Sequence, residues 1–246
     1  MKLTNLTAAL LDPLLARDPM GPRITYYDDT TGERIELSTV TLANWAAKTA
    51  NLLREELGAG PGTRVAVLLP AHWQTAAVLL GVWWIGAEVT TAGPAEIALC
   101  TLDRLGEADE AVADGQPGEV AVLSLDPFGR AVDGLPVGVT DYATAVRVHG
   151  DTVIAERSPG PALHGQSAED VLEAALRSAT DQGLSARDRV MSDRPWATAE
   201  EIVDNLLAVL APGASLVQLT NPDPAALERR REAEKVTISL VEQLPG

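Results

Sequence analysis

The sequence predicts an α/β fold: two pseudo-symmetric lobes of mainly parallel sheet, with helices packed between and around them. Three observations predict it. Continuous apolar runs of strand length, such as RVAVLL at 64–69, alternate with stretches of helical periodicity, the pattern of strands covered on both faces. The stretch 72–85 is apolar nearly all round and so belongs between two layers rather than on a surface. The chain also repeats itself. Gly58, Arg64, Pro70, the pair Gly86-Ala87 and Pro94 bound one copy, and Gly183, Arg189, Pro195, the pair Gly213-Ala214 and Pro222 bound another. Six residues separate Gly from Arg, and six Arg from Pro, in both. Each copy reads helix, strand, helix, strand, a right-handed crossover with parallel strands.

The elements follow in order. MKLTNLTAALLDPLLARDPM has a short apolar stretch interrupted by Asp12 and Pro13 and no small-residue cleavage pattern, so it reads as a helix rather than a signal peptide. RITYYDD and ERIELS flank a turn at Gly32 and form a hairpin. Leu42, Trp45, Ala46, Thr49, Leu52 and Leu53 share one helix face, which Gly58 terminates. After RVAVLL and the helix 72–85 come the strands AEVTT and IALCTL, a helix over 103–114 and the strand EVAVLSL. Residues 127–161 are punctuated by Gly and Pro and form the connector between a first lobe, 1–126, and a second, 162–246. Ser167 with Asp170, and Thr198 with Glu201, have capping-box spacing at two helix starts; Leu172, Ala175, Leu176 and Ala179 form the expected buried stripe of the first. A Pro224-initiated helix and the strand VTISLV complete the reading.

Composition excludes several functions. A formal charge of −16 argues against a nucleic-acid backbone or an anionic membrane as partner, since both require a concentrated basic face. The basic run Arg229, Arg230, Arg231 lies among Glu228, Glu232 and Glu234 and is expected to be a solvated, salt-bridged face. With no long apolar run the chain reads as cytoplasmic. The single cysteine, Cys100, sits in apolar IALCTL, a buried thiol rather than a nucleophile. His72, His149 and His164 lack metal-ligand spacing, so no metal is expected, and no GxSxG elbow occurs. GAGPG at 58–62 lies between a helix and a strand, the wrong context for a dinucleotide fingerprint. No residue is assigned a catalytic or cofactor-binding role.

ITYYDD, TLANWAAKTANLLREELGAGPGTRVAVLLPAHWQTAAVLLGVWWIGAEVTTAGP and the later GLSARDRVMSDRPWATAEEIVDNLLAVLAPGASLVQLTNPDPAALERRREAEKVTISL together cover most of the chain. They resemble the first half of the adenylate-forming superfamily, which comprises acyl-CoA synthetases, peptide-synthetase adenylation domains and luciferases. The chain is similar in particular to a small actinobacterial group of adenylate-forming-like proteins. The resemblance implies two parallel sheets with helices between them, and a reaction joining a carboxylate to the adenylate of ATP. Family members grip the triphosphate with a Ser/Thr/Gly-rich loop ending in Pro-Lys-Gly, whose amides, hydroxyls and lysine offset phosphate charge.

Where that loop is expected the chain reads SPGPALHGQ, with one hydroxyl and no lysine; the three lysines of the chain are Lys2, Lys48 and Lys235. Later motifs of the family would lie beyond Gly246. The resemblance therefore implies a truncated, non-catalytic relative with no cofactor, serving an interaction or ligand-binding role; the alternative is a split or repurposed acyl-adenylate-forming ligase completed by a partner chain. A homodimer, or a protein partner covering the former interdomain face, is expected. The segment matching SDRPWATA lines the substrate pocket in the family, which makes Arg194 and Trp196, with His164 facing them, a candidate pocket for a small carboxylate or acyl ligand; the competing reading has Trp196 plugging it. Only Gly93-Pro94-Ala95-Glu96 separates AEVTTA from IALCTL, where the family has a helix, leaving the strand order at that edge open.

Overall fold

The computed structural model describes residues 5–113 and 118–241. The N-terminal stretch is helix α1 (Leu6–Arg17), whose first turn is capped by the Asn5 side chain accepting from the Ala8 amide. The hairpin β1 (Pro22–Asp28) and β2 (Glu33–Ser38) leads into α2 (Thr39–Glu55), capped by Ser38. The first repeat continues as β3 (Arg64–Leu68), α3 (Trp73–Trp84) and β4 (Glu88–Thr90). Then come β5 (Ile97–Cys100), α4 (Leu105–Val112), β6 (Glu119–Val122), β7 (Val139–Asp141) and the short α5 (Tyr142–Ala145). The predicted end of the helix over 103–114 falls partly outside the described residues.

The second repeat is α6 (Ala168–Asp181), β8 (Arg189–Ser192), α7 (Ala199–Glu201), a π-helical turn at Ile202–Leu207, α8 (Ala208–Leu210) and β9 (Ser215–Thr220). Helix α9 (Leu227–Ala233) and β10 (Ile238–Ser239) follow. Both sequence-predicted capping boxes form, at Ser167–Asp170 and Thr198–Glu201.

Among the described residues two five-stranded sheets form. The first has the order β4-β3-β5-β6-β7 with every pairing parallel. The second has the order β10-β8-β9-β1-β2, parallel except for the β1–β2 hairpin. Helix α3 packs against β3 and β4 of the first sheet, β1 of the second, and α1 and α2. Of its twelve residues only Trp84 escapes full burial, which explains the uniform apolarity of that stretch. Against α2 it approaches so closely at Gly81 that a Cβ there would stand 2.9 Å from the Ala46 carbonyl oxygen. On the outer face of the first sheet α4 covers Cys100, Val120 and Val122; on that of the second, Met191, Val217 and Leu219 pack beneath Leu227. Among the described residues no helix is long and apolar enough to cross a membrane.

Four expectations are corrected. The hairpin, grouped above with residues 1–126, belongs to the second sheet, because β1 pairs in parallel with β9 from Ile24–Leu216 to Asp28–Thr220. The connector 127–161 is not a plain linker, since it supplies β7 to the first sheet. Helix α6 buries Ala175 and Ala179 of the expected stripe together with Ala168 and Val171, while Leu172 is only partly buried and Leu176 is 42% exposed; small side chains let the helix lie close against α8. Arg230 is buried rather than solvated: its guanidinium pairs with Asp29 and sits 4.1 Å over the Tyr27 ring, whereas Arg231 keeps the expected surface pairing with Glu228.

The shortened crossover also finds its geometry. Residues 91–96 carry the chain from β4 back to β5, which pairs on the opposite side of β3. The outer edge of β4 does not stand open, because Leu163 bridges Val89 in parallel, with the Val89 amide donating to the Ala162 carbonyl and the His164 amide to the Val89 carbonyl.

Candidate functional site

The segment 156–167 is a strap laid along the first sheet. Its approach needs glycine on both sides: at Gly160 a Cβ would meet the Gly62 amide at 2.6 Å, and at Gly86, where φ is +75°, it would meet the Pro159 backbone at 2.9 Å. The amides of the strap are already taken by partners within it and on the neighbouring sheet edge. Gly160 donates to the Gly86 carbonyl, Ala162 and Leu163 donate to that of Gln166, and Gln166 donates back to Leu163. Two carboxylates take others: Glu156 accepts from the Arg157 and Ser158 amides at 2.8 Å each, and Glu88 from the Gly165 amide at 2.5 Å. Where a polyphosphate would need unpaired N–H groups and a cation, the strap offers satisfied N–H groups beside two acidic side chains.

The second feature is a cleft of about 590 Å³ between α6 and the turn 199–205, beyond the carboxyl end of β8. Arg194 lines it, with Nη1 3.5 Å from the Gln182 side-chain oxygen. Leu163 and Gln166 of the strap form part of its wall. The π turn is stitched to α6 across the cleft floor, with the Ser178 hydroxyl donating to Asp204 at 2.7 Å and the Gln182 amide to the Asp204 carbonyl at 2.9 Å. On the other side Asn205 donates to the Pro195 carbonyl at 2.8 Å.

The three residues singled out from sequence are thus separated in role. Arg194 lines the cleft. His164, in left-handed backbone conformation with φ of +45°, turns its imidazole to the edge of the first sheet, where Nε2 lies 3.1 Å from both the Thr91 amide and hydroxyl. Trp196 is buried to 2% exposure in the main core, which favours the plug over an open pocket lining. Among the described residues its indole N–H has no hydrogen-bond acceptor, a cost the core accepts for the ring's bulk. Sequence reasoning missed Glu88 and Glu156, whose roles come from contacts with the strap, and the cleft residues Ser178, Gln182 and Asp204. A capping-box signature flanks the cleft on each side, but nothing in the spacing ties the two helices together.

Burial sets the remaining chemistry. The Cys100 thiol is pushed up to about 11 by desolvation, far from thiolate reactivity at neutral pH. His72 caps α3, its Nδ1 accepting from the Gln74 amide at 3.1 Å, and burial lowers its pKa. Among the described residues no group of three or more His, Cys, Asp or Glu side chains is placed to hold a metal ion.

These features can be set beside known proteins. No model of a known protein family matches the sequence. The TIGR03089 family protein of Mycobacterium tuberculosis is 66% identical over 236 residues, covering 95% of this chain and 97% of that one. The chain belongs to the TIGR03089 family. Its architecture is also similar to those of solved ligases. It matches an acetoacetyl-CoA synthetase from Streptomyces lividans (TM-score 0.76, 20% identity, 97% of this chain and 42% of that one) and an acyl-CoA synthetase from Brucella canis (TM-score 0.75, 20% identity, 96% and 47%). An anthranilate CoA ligase solved with anthranoyl-AMP matches with a TM-score of 0.71 and 17% identity, over 96% and 49%. This TIGR03089 family member thus has the fold of the N-terminal part of AMP-forming ligases, and spans about half the length of the solved structures it matches.

Proposed function

We propose that the protein is a non-catalytic relative of the AMP-forming ligases, one that acts by binding rather than by activating a carboxylate. The observation that carries this reading is the strap 156–167. Acyl activation requires donors free to follow charge as it develops on the triphosphate. Here the Gly165 amide is already capped by Glu88 and the Ser158 amide by Glu156, so a phosphate would have to displace a carboxylate from each and then sit beside it. Opposition of like charges at that range makes the exchange unfavourable.

Calorimetry of the full chain with Mg-ATP and AMP tests this, alongside pyrophosphate release in the presence of a panel of carboxylic acids. No saturable nucleotide binding below about 1 mM, a free energy of about −4 kcal/mol, is expected. Stoichiometric ATP binding in the micromolar range, or carboxylate-dependent pyrophosphate release, would overturn it. The double variant Glu88→Gln/Glu156→Gln sharpens the result: if the carboxylates are the obstacle, it gains weak affinity for inorganic pyrophosphate that the parent lacks.

A further inference from the structure

A second cavity lies at the carboxyl edge of the first sheet, the position at which open α/β sheets receive ligands. It has a volume of about 330 Å³, and its walls come from the segments that follow β3, β6 and β7, with Trp45 of α2 closing the side. Trp45 and Trp73 meet edge to face, 5.4 Å between ring centroids at 66°, forming two sides of an aromatic corner. The polar tips of the lining are already occupied. Trp73 Nε1 donates to Glu33 at 3.4 Å, the Tyr142 hydroxyl pairs with that of Thr49 at 2.6 Å, and the Gln74 amide donates to the Asp126 carbonyl at 3.3 Å. What remains for a ligand is ring surface.

The lip of this cavity is built differently from its walls. Phe128, the one phenylalanine of the chain, is 80% exposed at the mouth, held there by its amide donating to the Asp126 carboxylate at 2.8 Å. An apolar ring kept in water beside an aromatic cavity gains burial when a flat partner slides beneath it. Arg147, also at the mouth, contacts the Gly129 carbonyl, and among the described residues no carboxylate lies within ion-pair distance of it. Its neighbour Arg130, by contrast, is partnered by Asp126. In a chain of net charge −16 an unneutralised guanidinium at a cavity mouth selects for an anion, and it argues against the quaternary-ammonium ligands that aromatic cages otherwise favour.

We propose that this cavity binds a small planar aromatic carboxylate, its ring against Trp45 and Trp73 beneath Phe128 and its carboxylate on Arg147. The site is independent of the strap and of any nucleotide, so the calorimetry above neither supports nor removes it.

The test is titration of the full chain with 1-naphthoate, read by tryptophan fluorescence and by thermal stabilisation, with 1-naphthylmethanol and tetramethylammonium as controls. Saturable naphthoate binding is expected. Arg147→Gln is expected to weaken it about tenfold or more, the worth of a charge-assisted hydrogen bond, while leaving the weaker binding of naphthylmethanol unchanged, and Arg147→Lys restores part of the loss. Phe128→Ala weakens both naphthyl ligands. Both side chains are solvent-facing, so these variants fold. Absence of saturable naphthoate binding by the parent up to millimolar concentration, equal affinity of parent and Arg147→Gln for naphthoate, or preference for tetramethylammonium would each overturn the proposal.

Discussion

In the first crossover unit, β3–α3–β4, the helix is enclosed on every side; in the second, β8 to β9 through α7 and α8, the corresponding helix borders an open cleft. The two units share connectivity, and adjacent parallel strands in each. The proline-to-glycine interval is 16 residues in the first and 18 in the second. The π turn at Ile202–Leu207 takes up extra length there, the Ala208 amide reaching back to the Val203 carbonyl. Their caps differ as well. Helix α3 begins at a buried imidazole, His72, packed edge-on 4.3 Å from the Tyr26 ring, whereas α7 begins at the exposed Thr198–Glu201 box. A repeat therefore transmits topology, while what covers each copy decides its polarity, its packing and the ligands its carboxyl edge could take.

The largest test of this difference is truncation. Leu80→Ala, in the enclosed helix and fully buried, is expected to cost about 2–5 kcal/mol in urea or thermal unfolding. Leu176→Ala, on the half-exposed face of α6, is expected to stay within about 0.5 kcal/mol. Equal losses would show that the second unit is as tightly covered as the first. Next in size, Gly81→Val forces side-chain atoms against the α2 backbone and is expected to cost about 1–3 kcal/mol, with the fold retained by circular dichroism. Smaller still, Thr198→Ala removes the cap of α7 for about 1 kcal/mol and should loosen the cleft wall, read as faster amide exchange at Glu201 and Ile202.

The smallest effect is one of pH. Burial lowers the His72 pKa, so the unfolded chain binds the proton more readily than the folded one. Stability is therefore expected to be unaffected by this group above the ordinary histidine range of about 6.5 and to fall as pH drops below it, when protonation removes the Nδ1 acceptor that caps α3. Glu33, 3.8 Å from Nε2, opposes this but does not reverse it. His72→Asn keeps a cap acceptor and should flatten the dependence between about pH 6.5 and 5. Thr198→Ala should leave it intact. A pH-independent parent would remove the distinction between the two caps.

Much of the fold is written locally. The strand runs RVAVLL and IALCTL, the caps at Ser167 and Thr198, and the termination near Gly58, whose φ of +72° only glycine adopts freely, depend on neighbours a few residues away. The candidate site was less legible. Arg194 lines the cleft between α6 and the turn 199–205, while His164 faces Thr91 and Trp196 fills the core, because the direction of a side chain after a turn is set by what packs on it.

By itself the sequence determined the α/β class, the duplicated crossover and the absence of a lysine in the strap, since periodicity, spacing and residue type are properties of the chain alone. Tertiary structure alone decided that the hairpin joins the second sheet, that Arg230 is buried on Asp29 and Tyr27, and that Glu88 reaches Gly165 from 77 positions away. The reason is physical: strand pairing, ion pairing and amide capping between distant segments depend on distances that exist only once the chain has closed its loops.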